Sequence, residues 1–551
     1  MSTPATEPEP PEDQESANQS PAANKAKRRP PRMTPPWHVY LLLLLWVAAI
    51  FALPAFGAEW DPAIINLIVQ SLGALVFLNA LVWFCFFSGH PRLLRYGLLG
   101  AIVLLVAGVL TTHRMHTTGA MTVAFERRPW FARWMGDAGR PEPVVTDPTA
   151  IELTATPDDY PRFLGIDVNG VIPDVRLARD WQAHPPQELW RVRVGEAWSG
   201  FAVVNGYAVT MEQYQNEELI TCYRLADGRL EWKHATPGRH DTVMGGIGPR
   251  STPTIDDSKV YALGASAMLS CLDGANGKSL WTVDLREKFQ LGSDAGVAWG
   301  RAAAPLIVDD LVVVPVGGPP GGPYVSLAAF NKETGELVWQ GGEQQVSYSS
   351  PMLAEISGVR QILIFNEGTF AGHDPETGKQ SWITDWPGNS SGNATCSQPL
   401  VVGDDQLLLS KGYGGGSRLI QLSQTAGEWK LETLWEKSSL MKSKYSTPVL
   451  YQGALYGLSD GIMQSVDLKA GKLNWRGGRY GYGQILLAGD LLLVVAEDGR
   501  LLLLDPTPEK LSELGEIQAL EGKTWNTFAL SGDLLLLRNS TEAVCYRLQQ
   551  R

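Results

Sequence analysis

Eight equivalent positions from residue 198 onward are Trp198, Arg250, Ala302, Tyr348, Cys396, Tyr445, Tyr482 and Trp525, six of them Trp, Tyr or Arg side chains able to grip a flat ligand. Each stands three residues before an apolar or proline anchor, in Ser-Gly-Phe201, Ser-Thr-Pro253, Ala-Ala-Pro305, Ser-Ser-Pro351, Ser-Gln-Pro399, Ser-Thr-Pro448, Gly-Gln-Ile485 and Asn-Thr-Phe528. Tryptophan and tyrosine rings stack on planar groups, and a guanidinium pairs with a carboxylate. If the eight positions close into a ring, Trp198, Arg250, Tyr348, Tyr445, Tyr482 and Trp525 form an aromatic collar around a channel. A planar ligand bearing a carboxylate fits such a collar, as do a sugar and a peptide loop. A channel filled by its own rings or plugged by a leader segment, with no ligand, fits equally. Arg301, Lys411, Asn526 and Glu212 stand nearby, either as polar contacts or as ordinary solvated or turn residues. No Ser-His-Asp set, zinc spacing or haem signature stands out, and Gly245-Gly246-Ile247-Gly248 lacks the strand-to-helix context of a phosphate loop.

What would hold the collar together is a repeat. From Trp190 onward an apolar strand, a Gly or Asp turn, a second strand and a Trp-ended strand recur, with Trp at 190, 232, 281, 339, 382, 435 and 475. Four short β-runs per 40 to 58 residues is the period of a propeller blade. Gly228, Gly277, Gly335, Gly378 and Gly471 stand four residues before a Trp, where a tight hairpin turn needs positive φ. Ten residues before the same Trp stand Cys222, Cys271, Ala329, Gly372 and Ser465, small enough to admit an indole from a neighbouring blade. Cys222, Cys271 and Cys545 thereby read as small buried hydrophobes rather than metal ligands. The eight anchors count eight blades. The last blade lacks its own Trp-ended strand, whereas Glu188-Leu-Trp190-Arg-Val-Arg193 is such a strand with no blade before it. The N-terminal strand is therefore expected to complete the eighth blade and close the ring, removing free sheet edges.

The runs Cys271-Leu-Asp-Gly-Ala-Asn-Gly-Lys-Ser-Leu-Trp281, Phe330-Asn-Lys-Glu-Thr-Gly-Glu-Leu-Val-Trp339 and His373-Asp-Pro-Glu-Thr-Gly-Lys-Gln-Ser-Trp382 resemble the tryptophan-docking repeats of the pyrroloquinoline-quinone (PQQ)-like eight-bladed propellers. The resemblance covers about Asp159 to Gln550. The leader from Tyr160-Pro-Arg-Phe-Leu-Gly165 through Asn169-Gly170 to Trp181 is similar to the start of PQQ-binding-like repeat proteins common in Planctomycetes and related bacteria. The family includes quinoprotein alcohol dehydrogenases, which hold PQQ and usually calcium, and the non-catalytic assembly scaffold BamB. The resemblance thus implies either a binding or assembly module or a PQQ-dependent oxidoreductase. The chain departs from the dehydrogenases: it has no adjacent Cys-Cys pair, and their calcium-binding Glu and Asn and their catalytic Asp have no match here.

The remaining chain is expected to anchor this ring. With 551 residues, 46 Lys and Arg against 58 Asp and Glu, the net charge is −12, which leaves no cationic field for nucleic acid. Five cysteines in that length are no disulfide framework. Residues 1–36 hold nine prolines and no Ile, Leu, Val or aromatic residue, the composition of a disordered tail. Three apolar runs follow within 37–112 and are read as three transmembrane helices. The tail carries five Lys and Arg and the Ser88–Arg95 loop adds Arg92 and Arg95, so both are expected in the cytoplasm. Four arginines (114, 127, 128 and 133) follow the third span as a counter-signal. An odd number of spans puts the propeller on the extracytoplasmic, periplasmic side of the inner membrane, with other envelope proteins as possible partners. Residues 113–180 form a linker and leader and 181–551 the propeller. Phe125, Trp130, Phe131 and Trp134, interleaved with arginines, fit a segment lying on the membrane surface and a plain linker alike.

Overall fold

Runs such as Leu311–Gly317 and Leu491–Val495 are nearly continuous in Val and Leu because both faces of each strand are covered by a neighbouring blade, and both runs are almost wholly buried. In the computed structural model, which describes residues 33–56, 62–117, 121–135, 151–242, 245–292, 297–390 and 393–551, these runs pair into eight antiparallel blades. The first is Ala202–Val204, Tyr207–Tyr214, Glu217–Arg224 and Leu230–Pro237. The eighth is built from Ala529–Ser531, Leu534–Arg538, Glu542–Arg547 and, as its outer strand, Gln187–Arg193 from the N-terminal side. Cys545 faces Trp190 across that closing pair. The propeller is closed by strand exchange between its two ends, as the sequence predicts.

The docking tryptophans explain the glycines. The Trp190 indole donates to Leu225 O at 2.6 Å in the first blade, Trp232 to Gly274 O at 2.9 Å in the second, and Trp435 to Leu468 O at 2.8 Å in the sixth. Each ring lies flat on the turn glycine of the following blade. A Cβ on Gly228 would stand 2.6 Å from Trp190, and one on Gly277 2.5 Å from Trp232. These glycines have φ near +70° (71° at Gly228, 69° at Gly277), so both space and backbone demand glycine. The small residues ten positions before each Trp do something other than expected. Cys222, Cys271, Ala329, Gly372 and Ser465 are the direct cross-strand partners of Trp232, Trp281, Trp339, Trp382 and Trp475 in their own blade. They admit their own blade's indole; the neighbour's indole rests on the glycine. The ring is displaced from its own hairpin because a register shift follows each of these pairs, bending the outer strand.

The leader is part of the ring. Tyr160 bridges Val203, Val171–Ile172 add a short parallel strand beside Leu487–Ala488, and Leu177 bridges Gln550. Tyr160, Leu164, Leu177 and Trp181 are buried in one cluster with the first, seventh and eighth blades.

The helices belong to a second compact unit, with most of residues 33–108 in one and 109–551 in the other. Helices α1 (Trp37–Phe56), α2 (Pro62–Val82, continued by a π-helical turn to Phe87) and α3 (Arg92–Thr112) match the three apolar runs. Among the described residues, however, two are long and apolar enough to cross a membrane, Ile64–Phe87 and Arg92–Thr112. The expected membrane anchor is thus supported by two helices of membrane length among the described residues, not by three. Trp46 packs on Gly73 and donates to Val69 O at 3.0 Å, the close approach a small residue permits between apolar helices. The expected tail lies almost wholly outside the described residues.

Candidate functional site

The inner strands bring the collar positions together. Trp198, Arg250, Tyr348, Tyr445 and Trp525, with Ala302 and Cys396, line one cavity of about 220 Å³ in the channel. Tyr482 stands behind it, edge-on to Tyr445 at 5.7 Å. The Trp525 ring is the hub, 4.9 Å from Trp198 and 4.9 Å from Tyr445. Across the cavity Tyr348 stacks on Trp299 at 5.5 Å.

One and two residues beyond the collar, the small polar residues of the anchor triplets tie each inner strand to the next. Gly200 N donates to Thr252 Oγ1 (3.1 Å), Ser251 Oγ to Ala303 O (2.9 Å), Ala304 N to Ser350 Oγ (2.9 Å), Ser350 N to Gln398 Oε1 (3.0 Å) and Gln398 N to Thr447 Oγ1 (3.0 Å). Gln484 Nε2 then spans Tyr445 O (3.0 Å) and Trp525 O (2.8 Å), and Asn526 Nδ2 reaches Ser199 O (2.8 Å). These bonds run through all eight blades and return to the first. The Ser-Thr and Ser-Gln pairs are therefore the clasp of the ring, and buried polar groups satisfied in this way hold the collar rigid.

The charged candidates are engaged in the same manner. Arg250 donates to Gly248 O at 2.7 Å and Gly245 O at 2.6 Å, pinning the glycine loop, and burial pulls its guanidinium down to about 10. Arg301 is buried and donates to Pro315 O and Val316 O; Lys411 is buried and donates to Trp386 O, and burial lowers its ammonium to about 8. Asn526 belongs to the clasp. Glu212 accepts from Thr221 Oγ1, Tyr223 OH and the Gly195 amide. None of these four lines the cavity. Burial pushes the Cys396 thiol up to about 12, away from the thiolate form.

Residues the sequence pattern does not single out complete the lining: Lys444, Tyr413, Trp299, Phe163 and Met121. The Lys444 ammonium lies 3.7 Å from the centre of the Tyr482 ring, 5.1 Å from Tyr413 and 5.4 Å from Tyr445, a cation held by aromatic faces. Its place immediately before the collar residue Tyr445 was the available signal. Phe163 comes from the leader and Met121 from a hairpin outside the ring, which no spacing within the repeat could reveal.

The fit of PQQ with calcium is divided. Aromatic faces with Arg250 and Lys444 offer surface for a planar anion. Among the described residues the lining has no carboxylate, and there is no group of three or more His, Cys, Asp or Glu side chains able to bind a metal. Calcium needs six to eight oxygen ligands, usually with carboxylates among them, so the residues present do not fit that ion. The volume is also below the ~300–1,000 Å³ of ordinary small-molecule pockets.

Comparison with known proteins agrees with this fold. A family model described as outer membrane protein assembly factor BamB matches residues 183–287 and 216–477. Outer membrane protein assembly factor BamB of Shewanella oneidensis is 23% identical over 284 residues, 48% of this chain and 66% of that protein. Quinoprotein alcohol dehydrogenase PedH of Pseudomonas putida is 25% identical over 189 residues, 33% of this chain and 29% of that protein. The chain spans just under two thirds of the first of these relatives and under a third of the second. Among solved structures, a europium-containing methanol dehydrogenase superposes with a TM-score of 0.55 at 11% identity, covering 73% of this chain and all of that one, a likeness of fold alone. With its Trp-ended blades, its closing strand and more than half its length matched, the chain belongs to the BamB family of PQQ-like propellers.

Proposed function

We propose that the protein is a membrane-anchored, extracytoplasmic propeller acting as a binding or protein-assembly module of the cell envelope. The observation that carries this reading is the fate of the polar groups around the channel. Arg301, Lys411, Asn526 and Glu212 hold loops and strands away from the cavity, Arg250 is tied to the glycine loop, and what faces the cavity is mainly aromatic, with Arg250 and Lys444 among the rings, a surface suited to recognition. The name of the BamB relatives points to envelope proteins as partners. The anchor is residues 37–112, with the tail 1–36 in the cytoplasm and the leader following from 113. Orientation depends on α1. If it crosses along with α2 and α3, the propeller lies outside the inner membrane; if it does not, the propeller shares the tail's side. The excess of Lys and Arg in the tail and the second loop supports the first arrangement. Protease added to intact spheroplasts should remove the propeller, and protection would reverse the orientation. Cross-linking in membranes followed by affinity purification of the full chain should enrich a partner that Trp198→Ala with Trp525→Ala loses. Enrichment unchanged by that pair would sink the recognition role of the collar.

The quinoprotein reading draws on the stacked rings beside Arg250 and Lys444 and on the dehydrogenase relative. PQQ, a planar tricarboxylate, would lie among these residues and supply two-electron oxidation; the donor set argues against the calcium that usually accompanies it. Saturating PQQ with and without calcium should leave melting unchanged. A calcium-dependent rise would favour the dehydrogenase.

A further inference from the structure

The described residues among 113–135, namely 113–117 and 121–135, form an element whose sidedness is inverted for water. Strands His113–Thr117 and Val123–Arg127 pair antiparallel, with Met115 opposite Phe125, Arg114 opposite Glu126 and Thr117 opposite Val123. Alternation puts Met115, Val123 and Phe125 on one face and Arg114 and Glu126 on the other. The polar face docks on the first blade's loops: Arg114 donates to Asn216 Oδ1 at 2.7 Å, and Arg239 pairs with Glu126 at 3.0 Å. The apolar face is exposed, Met115 at 61% and Phe125 at 53%. The short helix Pro129–Trp134 adds Trp130 (54% exposed) and Trp134 (74%).

We propose that this apolar face of the hairpin, with Trp130 and Trp134, is a lipid-docking surface resting in the headgroup layer of the membrane. Two observations select lipid over another protein. The chain runs without a break from the membrane-length helix Arg92–Thr112 into His113, so this face cannot lie far from the bilayer. Its composition, tryptophans and apolar side chains flanked by Arg127 and Arg128, is that of an interfacial segment beside anionic headgroups. In the connection between the same two strands Met121 reaches the channel cavity. A lipid-docking role for this face rests on the membrane-anchored reading above.

The test places the photo-reactive residue p-benzoylphenylalanine at Phe125 or Trp134 of the full chain in nanodiscs of phosphatidylcholine and phosphatidylglycerol, with the same probe at exposed Val338 on the blade rim as control. Lipid adducts at 125 and 134, several-fold above those at 338, are expected. Adducts to a second copy of the chain, or lipid adducts no more frequent than at 338, overturn the lipid surface while leaving the anchor intact. Failure of the full chain to enter nanodiscs overturns the anchored reading and this one with it.

Discussion

Trp181 of the leader sits where Gly515 of the seventh blade has no side chain: a Cβ on Gly515 would stand 2.7 Å from Trp181 Cβ. Gly515 faces Leu503 immediately before the register shift of that blade, the place that Trp232, Trp281 and Trp475 occupy in theirs. The seventh blade thus lacks its own docking indole and receives one from outside the repeat. Trp181→Ala should cost about 3–5 kcal/mol, as for a buried Trp elsewhere, and Gly515→Ala about 1–3 kcal/mol through the clash. Denaturant melts of the full chain in detergent check both. Trp181→Ala combined with Gly515→Trp should be more stable than Gly515→Trp alone; equal or lower stability would refute the equivalence.

The turn glycines separate two effects that single substitutions usually confuse. Gly228 has φ +71° and faces the Trp190 ring, whereas Gly403 has φ +60° with nothing within 4 Å. Gly403→Ala should cost about 1–2 kcal/mol for the left-handed backbone alone, and Gly228→Ala more, by about 1–3 kcal/mol for the displaced indole. Equal melting losses for the two variants would show that docking adds nothing to backbone strain.

Arg538 fastens the seam between the last blade and the first. Buried, it donates to Thr210 Oγ1 at 2.8 Å, Met211 O at 3.0 Å and Gly195 O at 2.8 Å. Arg538→Met leaves those acceptors dry and should destabilise by about 3–5 kcal/mol, with cleavage under limited proteolysis appearing first near the closing strand. Cleavage distributed evenly around the ring would argue against a special seam.

Glu196 makes stability depend on pH. Burial first, then neighbouring Glu126 and Asp241, raise its carboxyl to about 7 against the pull of Arg239. A carboxyl raised in the folded state binds more protons folded than unfolded across that interval. Stability should therefore fall as pH rises from the ordinary Glu value of about 4.5 toward 7, then level off. Glu196→Gln should flatten this slope between pH 4.5 and 7 and melt higher than the parent at pH 8. An unchanged slope would exclude Glu196 as its source.

Much of the fold is legible in local chemistry. A Gly four residues before a Trp, and a strand of small or apolar residues facing that Trp, are rules that a stretch of about ten residues obeys by itself, and their repetition implies the ring. The collar is legible for a related reason: equivalent positions in equivalent blades must converge on the axis, so Trp198, Tyr348, Tyr445 and Trp525 meet although up to 327 residues separate them. Tyr482 follows the same spacing yet turns behind Tyr445, because Glu497 takes its backbone amide at 3.0 Å and Lys444 lies on its ring.

The sequence by itself determined the number of blades, the exchange of the closing strand and the aromatic character of the channel, because each follows from a pattern repeated at fixed spacing. Only the tertiary structure decided which indole rests on which glycine, that Arg250 is held by the Gly245–Gly248 loop, and that Trp181, Phe163 and Met121 enter from outside the repeat. Those contacts join segments with no common period. The space that accepts them exists only once the ring has closed, and burial then fixes which hydrogen bonds must be made.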